Sequence, residues 1–564
     1  MLTAGMLLSV LGCSTNFYRE RADKDVYGIL KYKEKGLFGK TNEFSIDTEY
    51  SSRDPSEIPP EELINGRGLS GEKRTIDIPE SLRLAIANNR SFQSRKERLY
   101  LSALTLTGRR FEFEKQPFGR LRGGGDRESD KDLRLDSNGN RFGFTQLLKT
   151  GGTVSATLAN DMVRYFTGDP RRSITTVMSV NFMQPLLRGA GQAIVAENLT
   201  QSERDVIYEI RDFALFQQTF AVGVISQYVR LLQQQDQVRN SYQNYLRLKA
   251  LNKRAVAMVE AERMPKFQFD QSVQQELSGR SSYISAVQRY QNQLDDFKKE
   301  LNFPQGVHLV LNTEILSDLK AIGLQVVNVG DVDGYRSAVE KKLDILNAID
   351  RFEDRKRKIK VAANALKAEL NFLSDVSLQN DSTDYAAFDP GNFKASAGLE
   401  LDLPFNRRAQ RNSYRGALIR FESELRSLTI SLDDTRDAVR EGLRSLEQLR
   451  QNFVIQKEAL RLANDRVSSV RELIEAGRAQ IRDELEAQNA LLSAQNSVTR
   501  VLVDYFDARL KFLIDVGVLN MAPEQWWLHT EKLVRTENTG PVTGLPDSKV
   551  YTPDEVFSGL ANLN

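Results

Sequence analysis

A single cysteine, two histidines and the lack of any long apolar run limit what this chain of 564 residues can be. One cysteine rules out an internal disulfide framework, so the fold must rest on packing and hydrogen bonding. His308 and His529 stand alone, and no Cys/His cluster or nucleophile–base pair is visible, so the sequence offers no metal centre, no cofactor site and no catalytic constellation. The many carboxylates read as solvated helix faces. No stretch approaches the ~20 apolar residues of a spanning helix. That excludes an α-helical membrane protein but leaves a β-barrel open, because barrel strands alternate and keep hydropathy low. An excess of one charge is missing too: lysine plus arginine number 78 against 76 aspartate plus glutamate, so nothing argues for nucleic acid or for an acidic partner. With 40% hydrophobic residues and a mean hydropathy of −0.44, compactness is not a given.

What is present is one plan written twice, punctuated by proline. Ser179-Val180-Asn181-Phe182-Met183-Gln184-Pro185 is followed by a proline-free run to Met264, and Leu399-Glu400-Leu401-Asp402-Leu403-Pro404 by a longer one to Ala522. A proline at a strand end or in a first helical turn costs no hydrogen bond, so Pro185 and Pro404 predict strand-to-helix turns. Each long helix then breaks and returns. The breaks are Glu260-Ala261-Glu262-Arg263-Met264-Pro265, returning from Phe267 to Leu301, and Glu475-Ala476-Gly477-Arg478, returning from Ile481 to about Val516. The matching spacing of the two copies predicts an internal duplication.

Four segments alternate at period two. From Phe393 to Leu403 the odd-numbered residues are apolar, while Lys394, Ser396, Gly398, Glu400 and Asp402 face the other way. Ile174, Met178, Val180 and Phe182 do the same in the segment from Ser173. Val154, Ala156 and Leu158 alternate with hydroxyl side chains, and Leu370, Phe372, Val376 and Leu378 with polar ones. Each segment matches the ~9–11 residues of a tilted transmembrane strand. A soluble half-buried sheet would alternate likewise, but two hairpins between very long helices supply no second layer to cover the apolar face. After Pro404, steps of three and four from Leu418 to Ile474 meet apolar residues throughout, apart from Thr435, Gly442 and Gln456. That seven-residue repeat predicts coiled-coil packing over about 100 Å. A free coiled coil would leave the hairpins unexplained.

Cys13 follows the short apolar segment Met6-Leu7-Leu8-Ser9-Val10-Leu11-Gly12, a placement that resembles a bacterial lipoprotein signal with Cys13 as lipid attachment. An ordinary signal peptide with an incidental cysteine is the alternative, and either predicts export. Residues 14–74 are polar, carry Pro55, Pro59 and Pro60, and predict an extended tail. Within them Gly66-Arg67-Gly68-Leu69-Ser70-Gly71 matches a dinucleotide fingerprint in letters only, since no strand precedes it. Ile76-Asp77-Ile78-Pro79-Glu80 opens a helix whose predicted apolar face is Leu82, Ala85 and Ile86.

Together the residues resemble the TolC-like outer-membrane efflux protein family. Residues 76–89 look like its opening helix. Leu148-Lys149-Thr150-Gly151-Gly152 and Gln184-Pro185-Leu186-Leu187-Arg188-Gly189 match a strand-to-helix signature, and the run from Ala476 to Gln488 matches its second turn-back. Glu262 stands where the family has a glycine, and Arg90 where it often has proline. The resemblance implies a mainly α fold with a membrane β-barrel: internally duplicated long-helix hairpins form a trimeric α-barrel, with about four strands per protomer. The repeats are placed at 75–330 (hairpin about 142–183, long helices 186–301) and 331–520 (hairpin about 368–403, long helices 405–516), with a tail at 521–564. Residues 110–141 add a hairpin or a long loop. The implied function is a passive exit duct, not an enzyme. It would sit in the outer membrane as a homotrimer, with its tunnel in the periplasm, and work with an inner-membrane pump and a periplasmic adaptor. Asp483 and Glu486 fall on acidic positions of the periplasmic aperture, with Asp270 as counterpart in the first copy and Gly477 and Arg478 at the turn-back. Solvated charges paired with Arg478 and Arg482 are the alternative there. A periplasmic coiled-coil adaptor or envelope scaffold with no transport role is the alternative function.

Overall fold

The computed structural model describes residues 14–41, 43–67, 73–128, 132–165, 172–304, 306–380, 388–403, 405–522 and 526–528. In chain order the elements are α1 (Thr15–Phe38), α2 (Pro60–Arg67), β1 (Lys73–Ile76), α3 (Ile78–Asn88), α4 (Arg90–Phe111), β2 (Gln116–Arg120), β3 (Gly124–Glu128), β4 (Asp132–Leu147), β5 (Thr153–Tyr165), β6 (Arg172–Pro185), α5 (Gln192–Val195), α6 (Glu197–Glu260), α7 (Lys266–Glu300), β7 (His308–Leu311), α8 (Glu314–Ile322), α9 (Asp331–Lys341), α10 (Leu343–Asn364), β8 (Glu369–Asn380), β9 (Phe388–Asp402), α11 (Arg408–Glu475) and α12 (Ile481–Asp515). They gather into two compact units. One takes the chain up to Ile46, Arg95–Phe213 and Asn347–Ser431, and the other takes Asp47–Ser94, Ala214–Leu346 and the chain from Leu432. Each unit draws on both sequence copies.

The first unit holds an antiparallel sheet of order β2-β4-β5-β6-β8-β9, with β3 also on β4. Its register lines up the alternation of separate strands, since directly opposed residues share a face. Phe142, Leu158, Met178, Leu378 and Phe393 form one row across five strands, and Phe144, Ala156, Val180, Val376 and Ala395 the next. The other face carries Gly143, Thr157, Ser179, Ser377 and Lys394, then Thr145, Ser155, Asn181, Asp375 and Ser396. One face is thus apolar and the other polar over the width of the sheet. The four expected strands are β5, β6, β8 and β9; of the two alternatives for residues 110–141, a hairpin or a long loop, strands β2, β3 and the start of β4 form there.

The rest of this unit is helical. Residues 15–38, expected as part of an extended tail, are a 24-residue helix capped by Ser14. Val26, Ile29 and Leu30, spaced three and four apart, bury one narrow stripe against Leu99, Tyr100, Ala103 and Leu106 of α4 and Val206 and Ile210 of α6. Asp23 accepts from Tyr100 Oη at 2.7 Å, and Lys33 pairs with Glu203 at 2.6 Å, where Arg110 also binds. α1 therefore runs alongside α4 in the same direction. The two copies meet at Asp354, which accepts from Tyr208, Gln201 and Arg357 and pairs with Arg204. Burial pushes its carboxyl up, but these donors outweigh burial and hold it below the usual aspartate range.

The second unit packs the C-terminal parts of α6 and α11 with α7 and α12. Val439 and Leu446 meet Tyr505 and Phe512, Ala463 and Val467 meet Ala487, Leu491 and Ala494, and Leu248, Leu251 and Ala255 meet Ile481 and Leu485. These contacts use the seven-residue stripe of α11. A small parallel sheet, β1 with β7, is tied to α6 by Tyr228, whose hydroxyl donates to the carbonyls of Ile76 or Asn312 at 3.0 and 3.1 Å. α3 buries Ile78, Ser81, Leu84 and Ala85. Its buried face is shifted from the expected one, leaving Ile86 exposed, because Asp77 caps the helix and sets its phase. Trp526 and Trp527, in the expected C-terminal tail, are buried, and Arg509 donates to the Trp527 carbonyl.

The duplication is visible in the geometry. α7 and α12 are both 35 residues long. Each follows a left-handed residue, Glu262 (φ 55°) or Gly477 (φ 71°), and each ends before another, Asn302 (φ 60°) or Gly517 (φ 74°). All four close with the same pair of backbone bonds, as in Arg263 N to Met258 O (2.8 Å) and Arg478 N to Leu473 O (2.7 Å). Glu262 is the one of these without the conformational freedom of glycine or the tolerance of asparagine. Glu262→Gly should therefore raise stability by about 1 kcal/mol and Gly477→Ala lower it by about as much, read from thermal melting in detergent. Equal melting of parent and both variants would show that neither turn is under this constraint.

Candidate functional site

The turn-backs are built from the helix ends inward. α11 stops at Glu475 because Gly477 turns left-handed, and α12 starts at Ile481 with Gln480 as N-cap. Asp483 is the third residue of α12, and its carboxylate accepts from the Gln480 backbone N–H at 3.0 Å in a reciprocal capping box. Glu486, one turn further, is 66% exposed and pairs with Arg466 at 3.2 Å. Both carboxylates lie on one stretch of helix, as their spacing predicts, but they are held differently: Asp483 by its own backbone and Glu486 by α11 rather than by Arg478 or Arg482. Arg478 supplies a backbone N–H to the turn, and its side chain is exposed.

Asp270 needs correction as the first-copy counterpart. With Glu262 matched to Gly477 and Asn302 to Gly517, Asp483 corresponds to Gln268 and Glu486 to Gln271, while Asp270 corresponds to the buried Leu485. Asp270 itself is exposed. The turn-backs of the two copies are therefore chemically unequal, carboxylates in one and amides in the other.

Pro185 ends β6 opposite Asn371, so it closes a strand as expected. The long helix, however, does not begin there. Leu186 N still donates to Leu370 O at 2.7 Å, Gly189 and Gly191 take φ of 77° and 94°, and α6 begins only at Glu197. A Cβ on Gly151 would come within 2.6 Å of the Gly189 carbonyl, so the close approach of this loop requires position 151 to lack a side chain. Cys13, Pro404 and His529 lie outside the described residues.

Sequence reading missed a buried polar group beside the second turn-back. Glu484 and Gln488 are 5% and 2% exposed, and Glu484 lies 3.9 Å from Arg254 of α6. Asn244 is buried nearby on α6, and Arg247 is held below the usual arginine range by burial and then by the charge of Arg471. The signal was available: Glu484 and Gln488 occupy steps of three and four from Ile481, an apolar stripe that continues to Leu491. Two further aspartates fix α12 against α6. Asp236 accepts from Lys320 (3.0 Å), Thr499 (2.9 Å) and Arg239, and Asp507 from Ser226 (2.6 Å), Arg230 (2.9 Å) and Lys511 (2.9 Å). Burial pushes both carboxyls up, but their donors prevail and hold both below the ordinary range. Among the described residues no group of His, Cys, Asp and Glu is placed to hold a metal ion.

Residues 334–511 match the family model described as outer membrane efflux protein. No curated protein matches the chain. Among solved structures the chain resembles the Campylobacter jejuni CmeC outer membrane channel at 12% identity and a TM-score of 0.56, covering 78% of this chain and 85% of that one. The Vibrio cholerae outer membrane protein VceC is similar at 12% identity and a TM-score of 0.56 over 78% and 96% of the two chains. The open-state Neisseria gonorrhoeae MtrE outer membrane channel is similar at 11% identity and a TM-score of 0.56 over 78% and 89%. At these identities the structures share a fold with this chain, and residues 334–511 carry an outer membrane efflux protein domain.

Proposed function

We propose that this chain is one protomer of a homotrimeric exit duct, the outer-membrane stage of a tripartite efflux or secretion system that includes a periplasmic adaptor and an inner-membrane pump. The observation that carries the reading is the sheet. Its aligned apolar rows run from about Leu403 up to Phe393 on β9, ten residues that span ~24 Å at the usual rise and a ~45° tilt, the height of a barrel's apolar band. The opposite face is polar and suits a water-filled lumen. Among the described residues neither lateral edge has a partner, and an open edge cannot face lipid, so copies must close the wall. Threefold assembly also gives a place to the apolar residues that one chain leaves more than half exposed at seven-residue spacing, Leu277 and Ile284 on α7 and Ile455 and Leu462 on α11. The family consists of transport ducts rather than enzymes, and its members lie in the outer membrane with a helical tunnel in the periplasm. A coiled-coil adaptor would have no use for an apolar sheet face. It would also be released without detergent, whereas a barrel requires extraction and migrates as a heat-labile oligomer.

In this reading Cys13 carries lipid, and the docking of α1 sets how. Residues 15–21 of α1 are exposed, and Asp23 is pinned to α4 by Tyr100. Asp23 lies level with Tyr100, ~16 Å short of the end of α4 next to the strands. Unwinding the turns ahead of Asp23 frees ten residues, ~34 Å of extended chain, without opening the buried stripe. Mass spectrometry of the mature N-terminus should find the acyl group on Cys13; a free terminus at a later residue would remove the lipid from the account.

Leu399, 68% exposed on the apolar face, should meet lipid. Leu399→Lys should cost roughly 2–4 kcal/mol and abolish assembly, whereas Glu400→Lys, on the polar face, should be tolerated. Equal yields of membrane-inserted oligomer from both variants would contradict the assignment of faces.

At the turn-back, threefold symmetry makes Glu486 a ring of carboxylates that favours cations. Glu486→Gln should lower cation preference in a planar bilayer at unchanged oligomer yield. Asp483→Asn should in addition weaken the start of α12, because it removes the capping carboxylate. Unaltered selectivity in Glu486→Gln would place Glu486 outside the constriction.

A further inference from the structure

We infer that each protomer supplies six strands to the barrel, not four, and that the β2–β3 edge of one copy pairs with the β9 edge of the next, closing an 18-stranded wall. This rests on the trimeric barrel proposed above.

The additional strands are an insertion into the duplicated plan. α3 and α4 have 11 and 22 residues, and so do their second-copy counterparts α9 and α10. α7 and α12 match at 35 residues each. Between these matched helices the largest difference lies ahead of the paired strands. β8 starts at Glu369, directly after α10 ends at Asn364, whereas β5 starts at Thr153, long after α4 ends at Phe111. The extra length holds β2, β3 and β4.

Edge occupancy then decides what can pair. β4 lies along β5 from Leu147↔Thr153 to Arg134↔Tyr165, with a partner for every residue of β5 except Asp161. The β5 edge is therefore consumed, and β9 of a second copy cannot reach it. A four-strand contribution is closed off by this ladder. Strand direction excludes five as well: in an antiparallel run β4-β5-β6-β8-β9 the outer strands point the same way, so each junction between copies would be parallel. β2 and β3 remove the conflict. Both are antiparallel to β4 and share its free edge, β2 on residues 141–145 and β3 on residues 132–136. With them the count per protomer is even, the outer edges point in opposite directions, and every junction is antiparallel, as in even-stranded outer-membrane barrels.

β2 and β3 act as one interrupted strand. Across the gap between them the backbone N–H of Arg122 donates to Asn140 Oδ1 at 2.8 Å, and Asn140 is buried on the apolar face above Phe142. β2 keeps the register of its neighbours, with Phe118 as an apolar residue opposite Gly143 on the polar face. Pro117 and Gly119 stand beside Phe144 and Phe142 on the apolar face, while Gln116 and Arg120 stand beside Thr145 and Arg141 on the polar face. Aromatic rings cover the glycines in both directions: a Cβ on Gly119 would meet Phe142 at 3.3 Å, and one on Gly143 would meet Phe118 at 3.0 Å. Pro117 lacks an N–H and removes one donor from β2, leaving the rest of the edge able to pair. Barrel width grows roughly in proportion to strand number, so 18 strands give a wall roughly half again as wide as 12 and leave a broad aqueous exit. The outer opening would then admit cargo of large cross-section, with selection left to the helical end.

The test uses full-length protein with Cys13→Ser. Gln116→Cys or Arg120→Cys on β2 is combined in turn with Lys394→Cys, Ser396→Cys, Gly398→Cys and Glu400→Cys on β9, all on the polar face. Thr157→Cys on β5 replaces the β2 site in a parallel series. Native mass spectrometry first establishes the oligomer, and oxidation in the membrane follows. The expected result is a threefold oligomer in which at least one β2–β9 pair gives disulfide-linked dimers and trimers and the Thr157 series gives none. Cross-linking from Thr157 to β9, or no β2–β9 product in a threefold oligomer, overturns the six-strand wall while the trimer stands. An oligomer that is not threefold overturns the trimeric reading and this inference with it.

Discussion

Unpaired backbone at a sheet edge is the constraint on which this structure depends. β9 presents a row of N–H and C=O groups with no strand partner among the described residues, and the edge formed by β2 and β3 does the same. In water such an edge invites aggregation, and in hydrocarbon each unmet group costs several kcal/mol. The rows of Phe142, Phe144 and their neighbours make the second environment the relevant one, because Leu158, Met178, Phe393 and Leu399 on that face stand exposed. In the proposed assembly, closure by further copies removes the edges and gives the apolar face a lipid solvent and the polar face a water-filled interior. Passage through the membrane then requires no site chemistry, only a wall.

The helical unit meets a different demand, keeping four helix segments in register without a wide apolar core. It does so with ties at fixed points rather than with bulk. Asp236 and Asp507 each gather three donors between α6 and α12, and Tyr228 binds the two short strands to α6. Breaking such a buried group by removing one partner costs more than its net contribution, so these residues act mainly on register. Apolar clusters such as Val467 with Leu491 fill the intervals. The left-handed turns at 262 and 477 then set where each long helix reverses.

Much of this was legible in the sequence where one signal sufficed. The return helices fall within a residue or two of their predicted ends because Gly477, Gln480 and the proline at 265 are local stop and start signals. Strands β5, β6, β8 and β9 follow from alternation alone. The misses have physical causes. α1 buries only Val26, Ile29 and Leu30 among many charges, so its stripe is too narrow to stand out until α4 and α6 are in place. β2 and β3 are short and glycine-rich, and they exist as strands because β4 offers an edge, not because of their own propensity. Asp270 is the aperture counterpart that the family resemblance implies, whereas the repeat register, visible once the four left-handed residues are aligned, puts it at an apolar position. The helix after Pro185 starts late because two glycines hold the chain in a loop that no propensity scale reports.

The central claim is that the open edges of this chain are closed by identical copies into one membrane-spanning wall. Electron cryo-microscopy of the detergent-extracted oligomer tests it most directly. The account predicts a threefold particle with a continuous ring of strands, no free edge, and a hollow helical extension on one side. A monomeric particle, or strands that end at an uncovered edge within the detergent belt, would contradict it.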